Sequence, residues 1–363
     1  MKLDILQRNC ILIVLVLLTS LPAYGKNNDV WTLFWNKDET LFGYKDKNGA
    51  VKIKPKFSPF STAYKFENII AVAEEVNGKW QSYYLTKAGK IVGRESLHVV
   101  DNGYDCESEG FIRFRDRETG LAGMFDKNGE VAIPAEYSDL ARVRNGMIMA
   151  LKGARREHER DEYHVWVGGK EMLIDTSNHV LIDDFPYTDH LNFFSVEKTK
   201  TPHADKSREN FLAKDGGYYS FINFEKEFRR WLTENLLVGL NAEKLIDASF
   251  DTISWWSSTA GWTKTDRRHF ILAHLEALKK GLLEILSPDC DYFISADNDL
   301  SLFIDKGKKF EKYFNNCGEA KEWIYPVMNI VVSHREKNKL TQDHYEFLRT
   351  DDGYKLISVT IRN

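Results

Sequence analysis

One segment recurs along the first half of the chain with a period of about 40 residues, and this repetition limits the fold more than any other feature of the sequence. The segment 41–53 returns at 121–133, and a shorter copy lies between them at 83–92. A degraded fourth copy covers 172–182, after the charged insertion 155–162. Such a period is typical of small units that cannot bury an apolar face alone and therefore stack against their neighbours.

Each copy has the pattern of a β-hairpin. An apolar strand leads into a turn of the type Asp-Lys-Asn-Gly, in which Asn and Gly tolerate a positive φ. The turn glycines Gly49, Gly89 and Gly129 are evenly spaced, each one period after the last. A second strand follows, and then a proline with an aromatic residue, as at 55–57 and 134–137. The sequence therefore predicts an all-β array of hairpin units.

These features resemble the WG-repeat (KWG) family of bacterial proteins over about residues 30–200. Trp80 is the family's tryptophan, although Gln81 follows it where the family has glycine. Gly43 and Gly123 occupy that glycine position in the first and third copies. The resemblance implies stacked β-hairpin units and no particular reaction, because the family has no defining activity. WD-repeat propellers have a similar period, but their Gly-His and Trp-Asp signatures are absent from the sequence.

The second half of the chain has the hydrophobic spacing of helices and then of strands. Three helices are predicted, the first after Asn223, the second after Asn241 and the third over 265–286. Short apolar strands separated by turns follow as far as residue 361. The whole pattern predicts a multidomain chain, with the β array at 26–205 and, at 206–363, an α+β domain of three helices and an antiparallel sheet.

The last hairpin, at 346–359, is similar to that of nuclear-transport-factor-2-like cone domains. Such a cone implies an apolar pocket, for which Trp255, Trp256 and Trp262 are the candidate lining residues. Ordinary core packing is the alternative role for these three side chains.

The N-terminal segment 1–25 has the pattern of a secretory signal peptide. Lys2 and Arg8 precede an apolar run that is too short to span a membrane as a helix. Small residues at Ala23 and Gly25 match a signal-peptidase site, so cleavage is predicted between Gly25 and Lys26. The mature chain is therefore predicted to be periplasmic or secreted, without a membrane span. An uncleaved anchor is the alternative.

In an oxidising compartment, the cysteines of the chain can form disulfides. Cys10 leaves with the signal peptide, so Cys106, Cys290 and Cys317 remain, and at most one pair can form within the chain. Cys290 and Cys317 lie near one another in one predicted domain and are the candidate disulfide. Two unpaired thiols are the alternative.

Composition and motifs give no sign of nucleic-acid binding or of metal and cofactor chemistry. The net charge is −4 and the pI about 6.2, which offers no basic surface overall. The run 158–162 begins like a zinc-protease motif but has Glu162 in place of the second histidine, and 297–302 lacks the glycine of a calcium loop. Asp247 and Asp251 remain as a loose acid–base pair, predicted to share one helix face.

Three functions are compatible with this sequence. The leading hypothesis is an exported binding module for an envelope protein or glycan, with no catalysis, because repeats and their loops present extended surfaces. The first alternative is an immunity or inhibitor protein that acts against an envelope-directed toxin. The second is an envelope hydrolase or isomerase with its site in the C-terminal domain. The oligomeric state is left open.

Overall fold

The computed structural model describes residues 29–60, 63–100, 103–160, 163–257, 261–298, 300, 308–336 and 339–360. Antiparallel β-strands dominate these residues, and three α-helices interrupt them. The predicted signal peptide and its Gly25–Lys26 cleavage site lie outside the described residues, as does Glu162 of the charged insertion. No helix in the described part of the chain is long and apolar enough to cross a membrane.

The first strands form a seven-stranded sheet. They are β1 Trp31–Trp35, β2 Phe42–Lys45, β3 Val51–Phe57, β4 Lys65–Phe66, β5 Ile69–Val76, β6 Lys79–Thr86 and β7 Ile91–Val92. Their order in the sheet is β4–β1–β2–β3–β5–β6–β7. Apart from the short strand β4, which pairs with β1 at the edge, strands that follow one another therefore pair, as expected for consecutive hairpins.

Smaller sheets follow along the chain. Their strands are β8 Val99–Val100, β9 Gly103–Tyr104, β10 Ile112–Arg115, β11 Ala122–Phe125, β12 Val131–Tyr137, β13 Asp139–Leu140, β14 Met147–Lys152, β15 Arg155–Arg160, β16 Tyr163–Val167, β17 Lys170–Asp175, β18 Val180–Ile182, β19 Leu191–Thr199, β20 Arg208–Leu212 and β21 Tyr218–Asn223. They assemble as β8–β9, β10–β11–β12, β13–β14–β17–β18, β15–β16 and β19–β21–β20.

Three of the four hairpins that carry the repeated sequence share one pairing register, whereas β6–β7 pairs without the bulge. In β2–β3, Tyr44 pairs with Ile53 and Lys45 with Val51, with a bulge between the two pairs. The same offsets recur in β11–β12 and in β17–β18. In the first turn, Asp46 Oδ1 accepts hydrogen bonds from the backbone N–H groups of residues 48 and 50, at 2.9 and 3.0 Å. Because Asp126 and Asp175 accept the equivalent pairs, the repeated aspartate has a physical role in the turn.

A further hairpin, β20–β21, has the same turn geometry but was not recognised in the sequence. Leu212 pairs with Tyr218, and the Ala213 N–H donates to the Gly217 carbonyl as the Asp46 N–H donates to that of Ala50. The capping aspartate is absent here because alanine occupies its position. Since β19 pairs with β21, a domain boundary at residue 205 would divide a hydrogen-bonded sheet.

Adjacent hairpins contact one another at intervals of about one repeat. Lys90 Nζ donates to the Gly129 carbonyl oxygen at 3.1 Å, which joins the second turn to the third. The Tyr137 hydroxyl donates to Asn178 Oδ1 at 2.6 Å, and the Lys214 N–H donates to the Leu181 carbonyl at 2.9 Å. These contacts join the second turn to the third, the third hairpin to the fourth, and the fourth hairpin to β20–β21.

The repeat glycines Gly43 and Gly123 lie where the two strands of a hairpin approach most closely. A Cβ on Gly43 would lie 2.2 Å from the carbonyl oxygen of Ile53, and one on Gly123 would lie 2.7 Å from that of Ile133. Both contacts are with backbone atoms, which cannot move aside without breaking the hairpin. Gly49 differs, because it has φ +83° and open space around its Cα.

This difference gives a first prediction. Gly43→Ala is expected to lower the free energy of unfolding by about 3 kcal/mol or more, because the new methyl group overlaps backbone. Gly49→Ala is the matched control, and its cost is about 1 kcal/mol because only the left-handed conformation is penalised. Urea denaturation of both variants measures the difference. Equal losses in the two variants would contradict the steric explanation.

The three predicted helices are present and each begins at a capping residue. They are α1 Phe224–Trp231, α2 Ala242–Asp247 and α3 Arg267–Glu284. Asn223 and Asn241 accept backbone hydrogen bonds at the first two helix starts, each at 3.0 Å, and Asp266 does so at the third. Asn223 and Asn241 explain why the first two helices could be located in the sequence, whereas the third is two residues shorter at each end than the predicted range 265–286.

A six-stranded sheet follows the first two helices and packs against α3. Its strands are β22 Ser249–Ser257, β23 Gly261–Asp266, β24 Asp291–Asn298, β25 Val327–Glu336, β26 Lys339–Thr350 and β27 Gly353–Thr360. Their order is β23–β22–β27–β26–β25–β24, and β22 runs parallel to β27. The predicted antiparallel sheet is therefore a mixed sheet. Phe228, Phe270, Tyr345 and Phe347 are fully or almost fully buried between its inner face and the helices.

Candidate functional site, a strap across the repeat loops

A disulfide joins the repeat region to the C-terminal part of the chain. Cys106 and Cys317 are bonded across a separation of 211 residues. The predicted Cys290–Cys317 pair is wrong, because Cys290 is a partly buried free thiol. Cys290 packs with the helix–sheet core, whereas Cys317 leaves that core and lies against the first repeat unit, so proximity in sequence did not indicate proximity in space.

Residues 311–323, here called the strap, hold Cys317 near their centre. We number the repeat units by their turn glycines, Gly49 in the first, Gly89 in the second and Gly129 in the third. At the first unit, the Lys65 N–H donates to the Asn316 carbonyl at 3.0 Å, and Asn316 Nδ2 donates to Glu67 at 3.2 Å. Lys65 Nζ also forms an ion pair with Glu311. The strap is therefore bound to the loop 63–68 by both backbone and side chains.

The strap continues over the corresponding loops of the next two units. Cys106 supplies the disulfide in the second unit. In the third unit, Arg142 forms a two-pronged ion pair with Glu319, and the Arg144 guanidinium lies over the Trp323 ring at 5.4 Å. The three contacted segments precede β5, β10 and β14 and are spaced by about one repeat. The strap therefore contacts equivalent positions in three successive units, here called the repeat edge.

A buried charge network lies beneath the disulfide. The Asp105 carboxylate has a fully buried side chain and accepts hydrogen bonds from Arg113 Nε at 3.0 Å, Arg113 Nη2 at 2.6 Å and Arg142 Nε at 2.9 Å. Burial alone would raise the pKa of Asp105, but the two guanidinium groups hold it well below its usual range. Arg142 thus links the buried carboxylate to Glu319 of the strap.

His98 borders the same network. It is almost fully buried, and its Nε2 lies 3.8 Å from Asp139 Oδ1, too far for a hydrogen bond. Burial lowers the pKa of His98, so the ring is neutral at pH 7. Its backbone N–H donates to the Tyr84 hydroxyl at 2.9 Å, and that hydroxyl donates to the Arg113 carbonyl at 2.6 Å. Buried hydrogen bonds and ion pairs therefore run without a break from Tyr84 through Arg113 and Asp105 to Arg142, which joins the second unit to the third.

A second polar cluster lies on the outer face of the six-stranded sheet. Glu346 pairs with Asn329 on one neighbouring strand and with Ser358 on the other, so the three side chains form a row. All three are buried, and Asn329 Oδ1, Glu346 Oε2 and Ser358 Oγ lack hydrogen-bond partners within the described part of the chain. Burial raises the pKa of Glu346 to about 7.

The Glu346 row gives a second prediction, on pH. The folded-state pKa exceeds its usual value of 4.5, so the stabilising effect of the protonated carboxyl is complete below about pH 4.5 and is lost as the pH rises through about 7. This loss amounts to roughly 3 kcal/mol. Glu346→Gln should therefore match the parent protein near pH 4.5 and exceed its stability by roughly that amount at pH 8. Urea titrations across this range would refute the assignment if the two curves stay parallel.

The other candidate residues are not brought together. Asp247 ends α2 and Asp251 lies on β22, so they share no helix face and the predicted pair is wrong. Trp255 is partly buried and packs against the rings of Phe270 and His274 in α3. Trp262 is 60% exposed and pairs with Trp256 in the β22–β23 hairpin. The three tryptophans therefore do not line one pocket. In the described residues, no group of three His, Cys, Asp or Glu side chains has metal-binding geometry.

Comparison with known proteins gives one match, to a family model over a short segment of the chain. Residues 123–154 match the model of the WG containing repeat. The matched segment begins at Gly123, whose Cα lies close to backbone atoms of the facing strand, and it includes Arg142 and Arg144 of the strap contact. No curated protein and no solved structure matches the chain, so the resemblance of the last hairpin to nuclear-transport-factor-2-like domains has no support from comparison.

Proposed function

We propose that the chain is an exported WG-repeat protein that binds another envelope molecule, a protein or a glycan, along the loop edge of its repeats, without catalysing a reaction. The observation that carries this proposal is the disulfide-fastened strap across three successive units. The strap bears on both parts of the proposal, the compartment and the mode of action.

The chemistry of the bond supports the proposed compartment. Disulfides persist in the periplasm and outside the cell, whereas cytosolic thiols are kept reduced. Cys106 and Cys317 are 2% and 6% exposed, so their bond is built into the interior and is not a reactive surface pair. This agrees with the secretory pattern of residues 1–25, and we propose a periplasmic or secreted location.

The contacts that the repeat edge makes with the strap support the proposed mode of action. The strap is held there by a backbone hydrogen bond, ion pairs and a cation–π contact, which are the contacts that would hold a segment of another molecule. Beside this contact, Phe60 and Tyr64 are 65% and 54% exposed. Exposed aromatic residues next to a polar rim are typical of binding surfaces.

Two finer structural statements belong to the same proposal. We propose that the hairpins form one repeat array, which the shared register of three of them and the contacts at about one repeat's spacing support. We also propose that the C-terminal part is a separate α+β domain of the nuclear-transport-factor-2-like kind. This proposal is supported by the order of the elements, which is two helices, the β22–β23 hairpin, α3 and then four strands.

Site-specific photo-crosslinking in the bacterial envelope tests the proposal. A photoreactive phenylalanine analogue at Tyr64 should give a discrete adduct, because that position lies on the repeat edge. The matched control is the analogue at Trp262, which is similarly exposed on the C-terminal hairpin and should give none. Adducts of equal yield at both positions, or a chain found in the cytoplasm with Cys106 and Cys317 reduced, would refute the proposal.

A further inference from the structure

An open cleft of about 550 Å³ lies where the strap meets the first repeat unit. Three lysines line it, Lys65 from the repeat loop and Lys312 and Lys321 from the strap, together with Glu311. Two of the ammonium groups are neutralised, since Lys65 pairs with Glu311 and Lys312 with Asp351. The cleft therefore retains the positive charge of Lys321.

Lys321 is the unusual member of this set. Its side chain is half-buried, and no carboxylate or other hydrogen-bond acceptor among the described residues contacts its ammonium group. Burial lowers the pKa of Lys321, and the nearby charge of Lys65 lowers it further. Its backbone is fixed, because the Lys321 N–H donates to the Tyr313 carbonyl at 2.8 Å and its own carbonyl accepts from Tyr325.

We propose that this cleft binds an oxyanion, the carboxylate or phosphate group of a sugar acid or sugar phosphate, with Lys321 as the counter-ion. A partly desolvated ammonium without a counter-ion is costly, and a bound anion removes that cost. The inference rests on the proposed function, because it names the chemistry of a glycan ligand at the repeat edge.

The geometry also limits how the ligand is recognised. The amide nitrogens of Asn315 and Asn316 donate to Glu319 and Glu67, so both are occupied within the strap junction. Recognition therefore depends on lysine charge and less on directed hydrogen bonds, since lysine acts as a point charge. The volume exceeds that of one anionic group and accommodates a sugar ring beside it.

Calorimetric titration of the purified, oxidised mature protein at low salt tests the site. Glucuronate and glucose 6-phosphate should each bind saturably and more weakly as salt is added, and neutral glucose should not bind. The stronger of the two acidic ligands identifies carboxylate or phosphate as the preferred group. Absence of saturable binding by both acids would overturn the proposal.

Variants separate this site from general charge effects. Lys321→Gln should weaken binding by about tenfold or more, whereas Lys321→Arg should retain it. Lys90→Gln is the control, because Lys90 is paired with Glu130 on the repeat turns outside the cleft. Unchanged affinity in Lys321→Gln, with its circular dichroism spectrum preserved, would refute the assignment.

Nuclear magnetic resonance of isotopically methylated lysines measures the pKa of Lys321 with and without ligand. If Lys321 only stabilised the fold, adding the ligand would not change this pKa. The pKa of Lys321 should rise when either acid binds, because the anion favours the charged ammonium. No rise at saturation would contradict the counter-ion role. The two proposals can be tested separately. An exported chain that crosslinks through Tyr64 but binds neither acid would refute anion binding at the cleft and leave the proposed function standing.

Discussion

Replacing both Cys106 and Cys317 by serine is expected to lower the free energy of unfolding by roughly 5 kcal/mol. The bond closes a loop of 211 residues, and in the chain-entropy treatment the stabilisation grows with the logarithm of loop length. Urea denaturation of the oxidised parent protein and the double variant measures the loss. Hydrogen exchange should locate the earliest opening at residues 311–323, which the disulfide holds against the repeats.

Cys290→Ser is the matched control for that experiment. Cys290 is the free thiol of the described residues, so its replacement removes no cross-link and should leave the urea midpoint nearly unchanged. Reductant should destabilise the parent protein and the control variant alike, and should leave the double variant unaffected. If the double variant has the same urea midpoint as the oxidised parent protein, the strap is not fastened by this bond.

Asp105→Asn should have the second-largest effect, a loss of about 3–5 kcal/mol. The amide removes the negative charge that two guanidinium groups share, and it leaves Arg113 buried without a counter-ion. The same change should loosen the strap, because Arg142 joins Asp105 to Glu319. Thermal unfolding and limited proteolysis between residues 311 and 323 would detect the two consequences.

Glu95→Gln provides the comparison for Asp105→Asn. Glu95 pairs with Arg117, and both side chains are more than half exposed, so the loss of that pair should be small. If the two variants lose similar stability, the buried network does not organise the junction between the repeats and the strap.

Local features of the fold could be predicted where a single short segment determines the geometry. The turns at Gly49 and Gly129 were found because Asp-Lys-Asn-Gly both caps and permits the turn within one short motif. The helix starts at Asn223 and Asn241 were found for the same reason. The hairpin at 212–218 was missed because Ala213 replaces the capping aspartate, and its remaining signal was the turn glycine Gly216.

The candidate site could not be predicted, because its parts come from distant segments. The three cysteines after residue 25 allow three pairings. Nearness in sequence favoured Cys290 as the partner of Cys317, whereas the path of the strap brings Cys317 to Cys106. The Glu346 row also unites three strands, and no single strand shows it. Its signal was a polar residue inside each of three apolar strands, which becomes informative only when the register is known.

Peptide mapping of the non-reduced protein recovered from the periplasm is the most direct test of the disulfide-fastened strap and of export. We expect one linked peptide pair containing Cys106 and Cys317, an alkylated Cys290 and an N-terminus at Lys26. A Cys290–Cys317 linkage, or a chain that retains Met1 with all its thiols free, would contradict both.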